Sequence, residues 1–189
     1  KHDREVHYFG NGLANQKSYN RAIWKQPKTQ SEYFKELFRV SKNQIIGGGD
    51  YFTSSLPESQ CWIVWDKQRT GGFADFEIAW TSFDRASRIF RFMWNGMIQE
   101  DMKNKENRIH PTQKPVRLYE WLLANFSNDG DIILDTHVGS ASSLIACRNT
   151  NHRYVGFELD TIYYELSKKR LEQEIAQMNI FDFMEKSEE

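Results

Sequence analysis

Two carboxylates and a glycine occur at spacings that could bind a nucleoside. A buried strand is predicted to end at Asp135, a loop with Gly139 leads into a helix, and Glu158 lies 23 residues after Asp135 at the tip of the next predicted strand. An acid at a strand tip can accept both ribose hydroxyls, and bare backbone at a helix start lets a polar ligand approach closely. The pattern indicates a nucleoside site, although a plain strand–helix–strand turn would look the same.

The run after Gly139 separates two classes of nucleoside cofactor. A dinucleotide site uses G-x-G-x-x-G, so that the pyrophosphate can approach the backbone. Here the run reads G-S-A-S-S-L, with Ala141 and Leu144 at the second and third glycine positions. These residues count against NAD or FAD, and therefore against a dinucleotide-dependent oxidoreductase. S-adenosylmethionine has no pyrophosphate and tolerates fewer glycines, so it fits the run better.

A second polar motif, HPTQKP, occupies residues 110–115, directly before the helix that leads to the Asp135 strand. Two prolines bracket it, and Pro115 suits the first position of a helix. The motif could contribute to the same site. Alternatively, it is only a loop that caps a helix, with Lys114 exposed to solvent.

The C-terminal part has the periodicity needed to hold these residues. A helix with an apolar stripe starts at Pro115, and two strands alternating with two helices are predicted after it. The predicted ranges are 131–135 and 153–158 for the strands and 141–149 and 162–178 for the helices. This order implies a parallel sheet, whose carboxyl edge would carry Asp135 and Glu158.

The N-terminal part is richer in strands. Ser31 opens a helix that is predicted to end near Lys42. Four strands are predicted, at 43–46, 61–67, 76–83 and 87–94. The last three are consecutive, which favours hairpin pairing, and residues 1–22 and 95–112 are predicted to be loops. We therefore expect a single domain over residues 1–189 with an α/β fold, a doubly wound and mostly parallel sheet with an antiparallel section.

Composition narrows the function further. No run approaches about 18 apolar residues, which excludes a membrane-spanning helix. Cys61 and Cys147 cannot form a disulfide framework, and we expect both to be buried thiols in the reducing cytoplasm. No His and Cys cluster has metal-ligand spacing, so no metal is expected. The net charge of −1 conceals a stretch, 84–117, with eight Lys or Arg against four acidic residues, which either faces a polyanion or is a solvated loop.

Three segments together resemble one enzyme family. HPTQKPVRLYEWLL (110–123), DIILDTHVGSASSLIA (131–146) and RYVGFELDTIYYELSKKRL (153–171) resemble the amino-methylating DNA methyltransferases of the β arrangement, above all phage-type and prophage-type adenine-specific members. The likeness extends upstream through SEYFKELFRVSKNQIIGGG (31–49). It implies a Rossmann-like sheet, S-adenosylmethionine as cofactor, double-stranded DNA as substrate, adenine N6 or cytosine N4 as acceptor, a role in restriction–modification, and often a homodimer.

The resemblance also assigns residues to the cofactor. DTHVGS (135–140) is similar to the family's D-P-F-x-G-S loop, Glu158 to its ribose ligand, and HPTQKP to the motif that opens its cofactor pocket. The implied cofactor-binding residues are Asp135, Thr136, His137, Gly139, Ser140, Glu158, Thr112, Lys114 and Pro115. Thr136 and His137 replace the family's Pro-Phe, and His137 either stacks on the cofactor or only packs. Ala141 replaces a frequent Gly and is expected to narrow the pocket slightly.

The same resemblance makes the basic stretch the expected DNA-facing surface. The loop 95–112 is a possible target-recognition insert, and six cations in and before it would contact DNA. They are Arg85, Arg88, Arg91, Lys103, Lys105 and Arg108. Such contacts would make the affinity for DNA depend on salt. A solvated connecting loop is the alternative.

The family's catalytic motif, D-P-P-Y, is absent from the chain. The four prolines are Pro27, Pro57, Pro111 and Pro115, and no two are adjacent. Asp50-Tyr51-Phe52 is a poor substitute, because it follows a different strand and lacks prolines. We expect the motif to precede Lys1, so the catalytic residues are unknown. Two functions stay open: an adenine-N6 (less readily cytosine-N4) methyltransferase, or an inactive relic that binds cofactor or DNA.

Overall fold

The computed structural model describes residues 30–68, 74–94 and 98–187, with side chains from 31 to 177 within those ranges. The elements are α1 (Gln30–Val40), β1 (Ile45–Gly47), a 3-10 helix (Gly49–Phe52), β2 (Trp62–Asp66), β3 (Phe76–Thr81), β4 (Arg88–Arg91), α2 (Val116–Phe126), β5 (Ile132–Asp135), α3 (Ser142–Asn149), β6 (Arg153–Gly156) and α4 (Thr161–Ser187). The predicted α/β fold class is confirmed. The predicted loop 1–22 lies outside the described residues.

The strands form two sheets in the part of the chain that the structure describes. The first has the order β1-β3-β2-β4, in which β3 runs antiparallel to both β1 and β2, and β4 runs parallel to β2. The second consists of β5 and β6, which are parallel. The parallel strand–helix–strand unit predicted for the C-terminal part is therefore confirmed, and the antiparallel section lies among the N-terminal strands.

The hairpin predicted between the last two N-terminal strands is wrong. β2 and β3 pair antiparallel as predicted, but β4 does not pair with β3 and instead joins the outer edge of β2, with Phe90 opposite Trp65. The reason is that β1 and β2 occupy the two edges of β3, so that β3 has no edge left for β4. The Trp62 N–H fixes the crossing segment by donating to Ser87 Oγ at 2.9 Å.

α2 joins the two sheets, because its two sides pack against different clusters. Leu118 is buried against Trp65 and Phe90 of the first sheet. Leu123 is buried against α3, where it contacts Cys147. Burial of each such apolar side chain contributes about 1.5–3 kcal/mol to stability. α2 therefore holds the sheets together and fixes the course of the HPTQKP segment that precedes it.

The two helices of the C-terminal part differ in burial. α3 has eight residues, and those from Ser142 to Cys147 are all buried. α4 has 27 residues, extends beyond its predicted range and is mostly exposed where its side chains are described. Within the described ranges, no helix is long and apolar enough to cross a membrane.

Both cysteines are buried free thiols, as predicted. Burial raises the pKa of the Cys147 thiol to about 12. This thiol therefore stays protonated at neutral pH and serves as a small apolar side chain between α2 and α3.

Candidate functional site

The parallel pairing of β5 with β6 brings the predicted site residues to one edge. Asp135 lies opposite Gly156, where both strands end. Beyond that pair the two segments stay joined, because the Phe157 N–H donates to the Asp135 carbonyl at 2.9 Å and the Val138 N–H donates to the Phe157 carbonyl at 3.0 Å. β6 ends two residues earlier than predicted, so Glu158 lies in the loop before α4.

Glu158 reaches from this loop to Gly139. One carboxylate oxygen accepts the Gly139 N–H at 2.8 Å, and the other accepts the Asp160 N–H at 2.9 Å. An ionised carboxylate can accept about four hydrogen bonds. Glu158 is therefore fixed by two backbone groups and keeps the capacity to accept two hydroxyl donors from a ligand.

Asp135 holds the loop that follows it. Its carboxylate accepts the His137 N–H at 2.9 Å and also the hydroxyl of Ser143, in the first turn of α3. These two bonds draw the loop 136–142 (the Gly139 loop) back onto the end of β5. The geometry gives Asp135 a role in shaping this loop, and its contact with a cofactor stays a prediction.

Two residues of the Gly139 loop have left-handed backbone. Gly139 has φ 55° and Ala141 has φ 62°. For Ala141 this conformation costs about 1–2 kcal/mol, because its Cβ approaches a carbonyl oxygen. The methyl group of Ala141 is buried with Val138 and Leu144. It packs into the core beside the loop, which corrects the expectation that it would narrow the pocket.

His110, the first residue of HPTQKP, packs directly against the loop. A Cβ added at Gly139 would lie 3.4 Å from its ring, and the ring meets that of Tyr163 edge-on with centroids 4.3 Å apart. Burial lowers the pKa of His110, and the charge of Glu158 opposes this shift. His110 belongs to the HPTQKP motif, but it was not among the cofactor-binding residues that the family resemblance implied. The structure places it against the Gly139 loop.

The other predicted residues of HPTQKP have different surroundings. Thr112 is exposed, with its hydroxyl 3.1 Å from Nδ1 of His110. Lys114 is not solvated as the capping alternative required, because its Nζ pairs with Glu77 of β3 at 3.2 Å. Pro115 is buried and directly precedes the first residue of α2. The motif therefore starts α2 and also contacts the first sheet and the Gly139 loop.

α1 reaches the same loop through Tyr33. The Tyr33 hydroxyl lies 2.7 Å from Thr136 Oγ1, which lies 3.0 Å from Nδ1 of His137. The exposed His137 ring packs edge-on against the Tyr33 ring with centroids 5.5 Å apart. Of the two alternatives for His137, packing is thus the contact that the structure contains. No role was predicted for Tyr33 from the sequence, because nothing in the local pattern of α1 indicates a contact of its hydroxyl.

Exposed apolar side chains follow Glu158 closely in the chain. Leu159 is 92% exposed and Ile162 is 68% exposed. Together with the carboxylate they suit a ligand that has hydroxyl donors beside a flat apolar ring. Among the described residues, no group of three or more His, Cys, Asp or Glu side chains could hold a metal ion.

The profile of one protein family, described as DNA methylase, matches residues 14–169. That range includes HPTQKP, the Gly139 loop and Glu158. This chain belongs to the DNA methylase family. The family resemblance drawn from the sequence is thereby confirmed, whereas the phage or prophage type stays a prediction.

Relatives of this DNA methylase chain match part of their own length. The type II methyltransferase M.HpaI of Haemophilus parainfluenzae is 40% identical over 79 residues, which are 42% of this chain and 25% of that protein. The type II methyltransferase M2.DpnII of Streptococcus pneumoniae is 27% identical over 124 residues, 66% of this chain and 45% of that protein. The chain thus spans less than half the length of these curated relatives.

A solved structure shares the fold. The crystal structure of M1.HpyAVI aligns with a TM-score of 0.52 at 21% identity, over 77% of this chain and 83% of that chain. At this identity the likeness supports the Rossmann-like methyltransferase architecture and nothing more specific.

Four of the six cations predicted to face DNA in this methylase are exposed. Arg88 and Arg91 lie on β4, at the outer edge of the first sheet, and Lys103 and Lys105 lie in the segment before HPTQKP. Arg91 also pairs with Asp66 at 3.5 Å. Residues 95–97 of the predicted loop lie outside the described residues.

The other two cations have contacts within the chain. The Arg85 guanidinium lies 3.9 Å from the centre of the Phe126 ring. Arg108 donates to the backbone carbonyls of His110 and Pro111. These contacts stabilise the start of HPTQKP and the end of α2, and a contact of either arginine with DNA stays a prediction.

Proposed function

We propose that this chain binds S-adenosylmethionine and takes part in methyl transfer to adenine N6 of double-stranded DNA. One observation carries the proposal: the Glu158 carboxylate accepts the Gly139 N–H at 2.8 Å, at the carboxyl edge of two parallel strands. Membership of the DNA methylase family supports the same conclusion.

The described residues fit the nucleoside part of this cofactor. Glu158 keeps acceptor capacity for the two ribose hydroxyls. The exposed side chain of Leu159 offers an apolar surface for the purine. The Gly139 N–H donates to the Glu158 carboxylate and so holds this acceptor at the end of the two strands. When bound, S-adenosylmethionine supplies a methyl group that its sulfonium charge activates.

The other cofactor residues implied by the family divide into two groups. We assign Ser140, Thr112, Thr136 and His137 to the border of the cofactor, since each lies in or next to the Gly139 loop. We assign Asp135, Lys114 and Pro115 to holding the backbone around it, because their contacts are with neighbouring elements of the chain.

DNA would approach across the basic stretch. The exposed cations there would contact phosphates and set register, without reading sequence. The target base would be extruded from the duplex, because a stacked base cannot bring its amine to a cofactor held inside the protein. The choice of adenine N6 over cytosine N4 and the homodimer rest on the sequence resemblance. The cytoplasmic location rests on the two buried free thiols. Sedimentation velocity tests the dimer.

One observation favours a second candidate function. D-P-P-Y is absent from the 189 residues. No described residue is assigned as the acid that would accept hydrogens from the target amine. The second candidate is therefore a protein that binds cofactor or DNA without transferring a methyl group.

Calorimetric titration of the purified protein tests the cofactor class. We expect heat of binding with S-adenosylmethionine and none with NAD. Binding of NAD alone would exclude the methyltransferase and restore the oxidoreductase considered from the sequence.

Methyl transfer needs a separate measurement. The protein is incubated with S-adenosylmethionine and unmethylated DNA, and the hydrolysed DNA is examined by mass spectrometry. Detection of N6-methyladenine supports the proposal. Detection of N4-methylcytosine instead would show that cytosine N4 is the methyl acceptor. Cofactor binding with unmodified DNA supports the second candidate.

A further inference from the structure

An arginine of α4, Arg170, also contacts the Gly139 loop. Arg170 Nη1 donates to the Ser140 carbonyl oxygen at 2.7 Å and to Ser142 Oγ at 2.9 Å. The Arg170 side chain is only 11% exposed, so both bonds are largely shielded from water. The loop is thereby fixed at a second point, one residue from the Gly139 N–H that Glu158 accepts.

The same guanidinium pairs with Glu106, in the segment before HPTQKP. Arg170 Nη2 lies 2.7 Å from Glu106 Oε2, and Glu106 Oε1 accepts the N–H of Val116, the first residue of α2, at 2.9 Å. The backbone of Glu106 is held by the Gln99 side chain, which accepts its N–H and donates to its carbonyl, each at 2.9 Å. The ion pair therefore connects α4, the start of α2 and the segment before HPTQKP to one loop.

The loop needs such a connection because of its backbone. Ser140 lies between Gly139 at φ 55° and Ala141 at φ 62°. Left-handed backbone is sparsely populated, above all for a residue with a side chain. The direction of the Ser140 carbonyl depends on both neighbours, so a strong donor to that oxygen selects the observed conformation over others.

We propose that Arg170 and Glu106 form a clamp that positions the Gly139–Ser140 backbone for the cofactor, and so sets cofactor affinity. Both are positioning residues, because they act through the loop and are assigned no contact with the ligand. The clamp rests on the function proposed above for this site.

Arginine suits the clamp better than lysine. Its planar guanidinium donates to Glu106 with one nitrogen and to Ser140 and Ser142 with another. A lysine ammonium is a single point of charge on a flexible stem and cannot reproduce that fork. Removing Arg170 leaves the partly buried Glu106 carboxylate without its cation, which disturbs the start of α2 as well as the loop.

Calorimetry on variants of the full chain tests the clamp. We expect Arg170→Gln to raise the Kd for S-adenosylmethionine about tenfold, and Arg170→Lys to recover part of that loss, with a Kd about threefold above the wild type. Arg39→Gln is the matched control, because Arg39 pairs with Glu36 on the exposed surface of α1. Its Kd should equal that of the wild type.

Hydrogen exchange of the loop amides separates positioning from general stability. In Arg170→Gln, amides 138–144 should exchange faster, while those of β2 and β3 keep wild-type rates. If Arg170→Gln does not fold, Ser142→Ala removes one of the two loop contacts, leaves the ion pair intact, and should show the same pattern more weakly. Unchanged loop exchange, or a Kd within twofold of the wild type in a folded Arg170→Gln, would overturn the clamp.

The two proposals can fail separately. If the wild type binds no S-adenosylmethionine, the proposed function fails, and loop exchange still reports whether Arg170 holds the loop. If the wild type binds and the variants bind equally well, the proposed function stands and the clamp is wrong.

Discussion

The β5–α3–β6 unit and the four-stranded sheet differ in the kind of bond that determines their geometry. In the first, Asp135 and Glu158 hold backbone N–H groups of residues at most 19 positions away along the chain. In the second, aromatic side chains from distant segments pack together, as Trp65 and Phe90 do with α2. Short-range polar bonds of this kind leave a pattern in the sequence, whereas packing between distant aromatic residues leaves little.

Glycine substitutions test which unit is more rigidly packed and have the largest expected effect. A Cβ added at Gly49 would lie 2.5 Å from the Trp80 Cβ and 2.9 Å from its backbone nitrogen. A Cβ at Gly156 would meet side-chain ends, 2.6 Å from Val138 Cγ2. Because backbone cannot move aside, Gly49→Ala should lower the free energy of unfolding by about 3 kcal/mol and Gly156→Ala by about 1 kcal/mol. Urea denaturation measures both.

Gly130→Ala serves as the control for these variants. Gly130 has φ +85°, and nothing lies within 4 Å of an added Cβ, so the substitution reports backbone strain without a clash. We expect a loss of about 1 kcal/mol. A loss at Gly156 larger than that at Gly49 would show that the β5–α3–β6 unit is the more rigid of the two.

The Glu158 carboxylate tests whether the short-range polar bonds serve the ligand. Glu158→Ala should weaken binding of S-adenosylmethionine by roughly 1–3 kcal/mol, because ribose hydroxyls and the Gly139 N–H lose their acceptor. Glu158→Gln keeps one acceptor oxygen, so its Kd for S-adenosylmethionine should lie between those of Glu158→Ala and the wild type. Calorimetric titration gives the Kd, with Glu36→Ala as an exposed-carboxylate control. An unchanged Kd in Glu158→Ala would remove this residue from the site.

Much of the β5–α3–β6 unit could be predicted from the sequence. The strand ending at Asp135, the turn at Gly139 and the acid at Glu158 are each marked by a residue type whose chemistry is local: a carboxylate that accepts nearby N–H groups, and a glycine at positive φ. Parallel pairing of the two strands then follows from the intervening helix. The same reasoning identified the HPTQKP motif. It did not predict that His110 is the residue of this motif that contacts the Gly139 loop.

The features that could not be predicted depend on distant partners. Tyr33 lies 103 residues from Thr136, and Arg170 lies 64 residues from Glu106. Nothing in the local pattern of an amphipathic helix says which of its polar atoms will meet a loop that far away. The pairing of β4 was predicted wrongly for a related reason. It depends on β1 occupying the other edge of β3.

His110 lies where HPTQKP meets the Gly139 loop, and pH tests this contact. Its folded-state pKa is lowered by burial, while Glu158 and Asp160 act to raise it and Lys114 and Arg108 act with burial. The unfolded chain therefore binds a proton before the folded one does as pH falls, so the His110 contribution to stability, full above the unfolded pKa of about 6.5, is lost as pH falls below it.

The measurement is urea denaturation at pH 7.5 and pH 5.5. The wild type should lose more stability between the two than His110→Asn, since the variant has no imidazole to protonate. The difference between the two proteins cancels the contribution of every other titrating group. Equal losses in both would mean that His110 is not kept neutral by the fold.

The smallest expected effect concerns DNA and compares the basic stretch with α4. Lys103 is exposed in the basic stretch, and Lys168 is exposed on α4. If Lys103 contacts a phosphate, Lys103→Gln should reduce the slope of log K against log salt by about 1, because one fewer counterion is released on binding. Lys168→Gln removes the same charge from the whole chain and should leave the slope unchanged. Equal reductions in the two variants, measured by fluorescence anisotropy over a range of salt, would mean that overall charge attracts DNA and that the basic stretch has no special role.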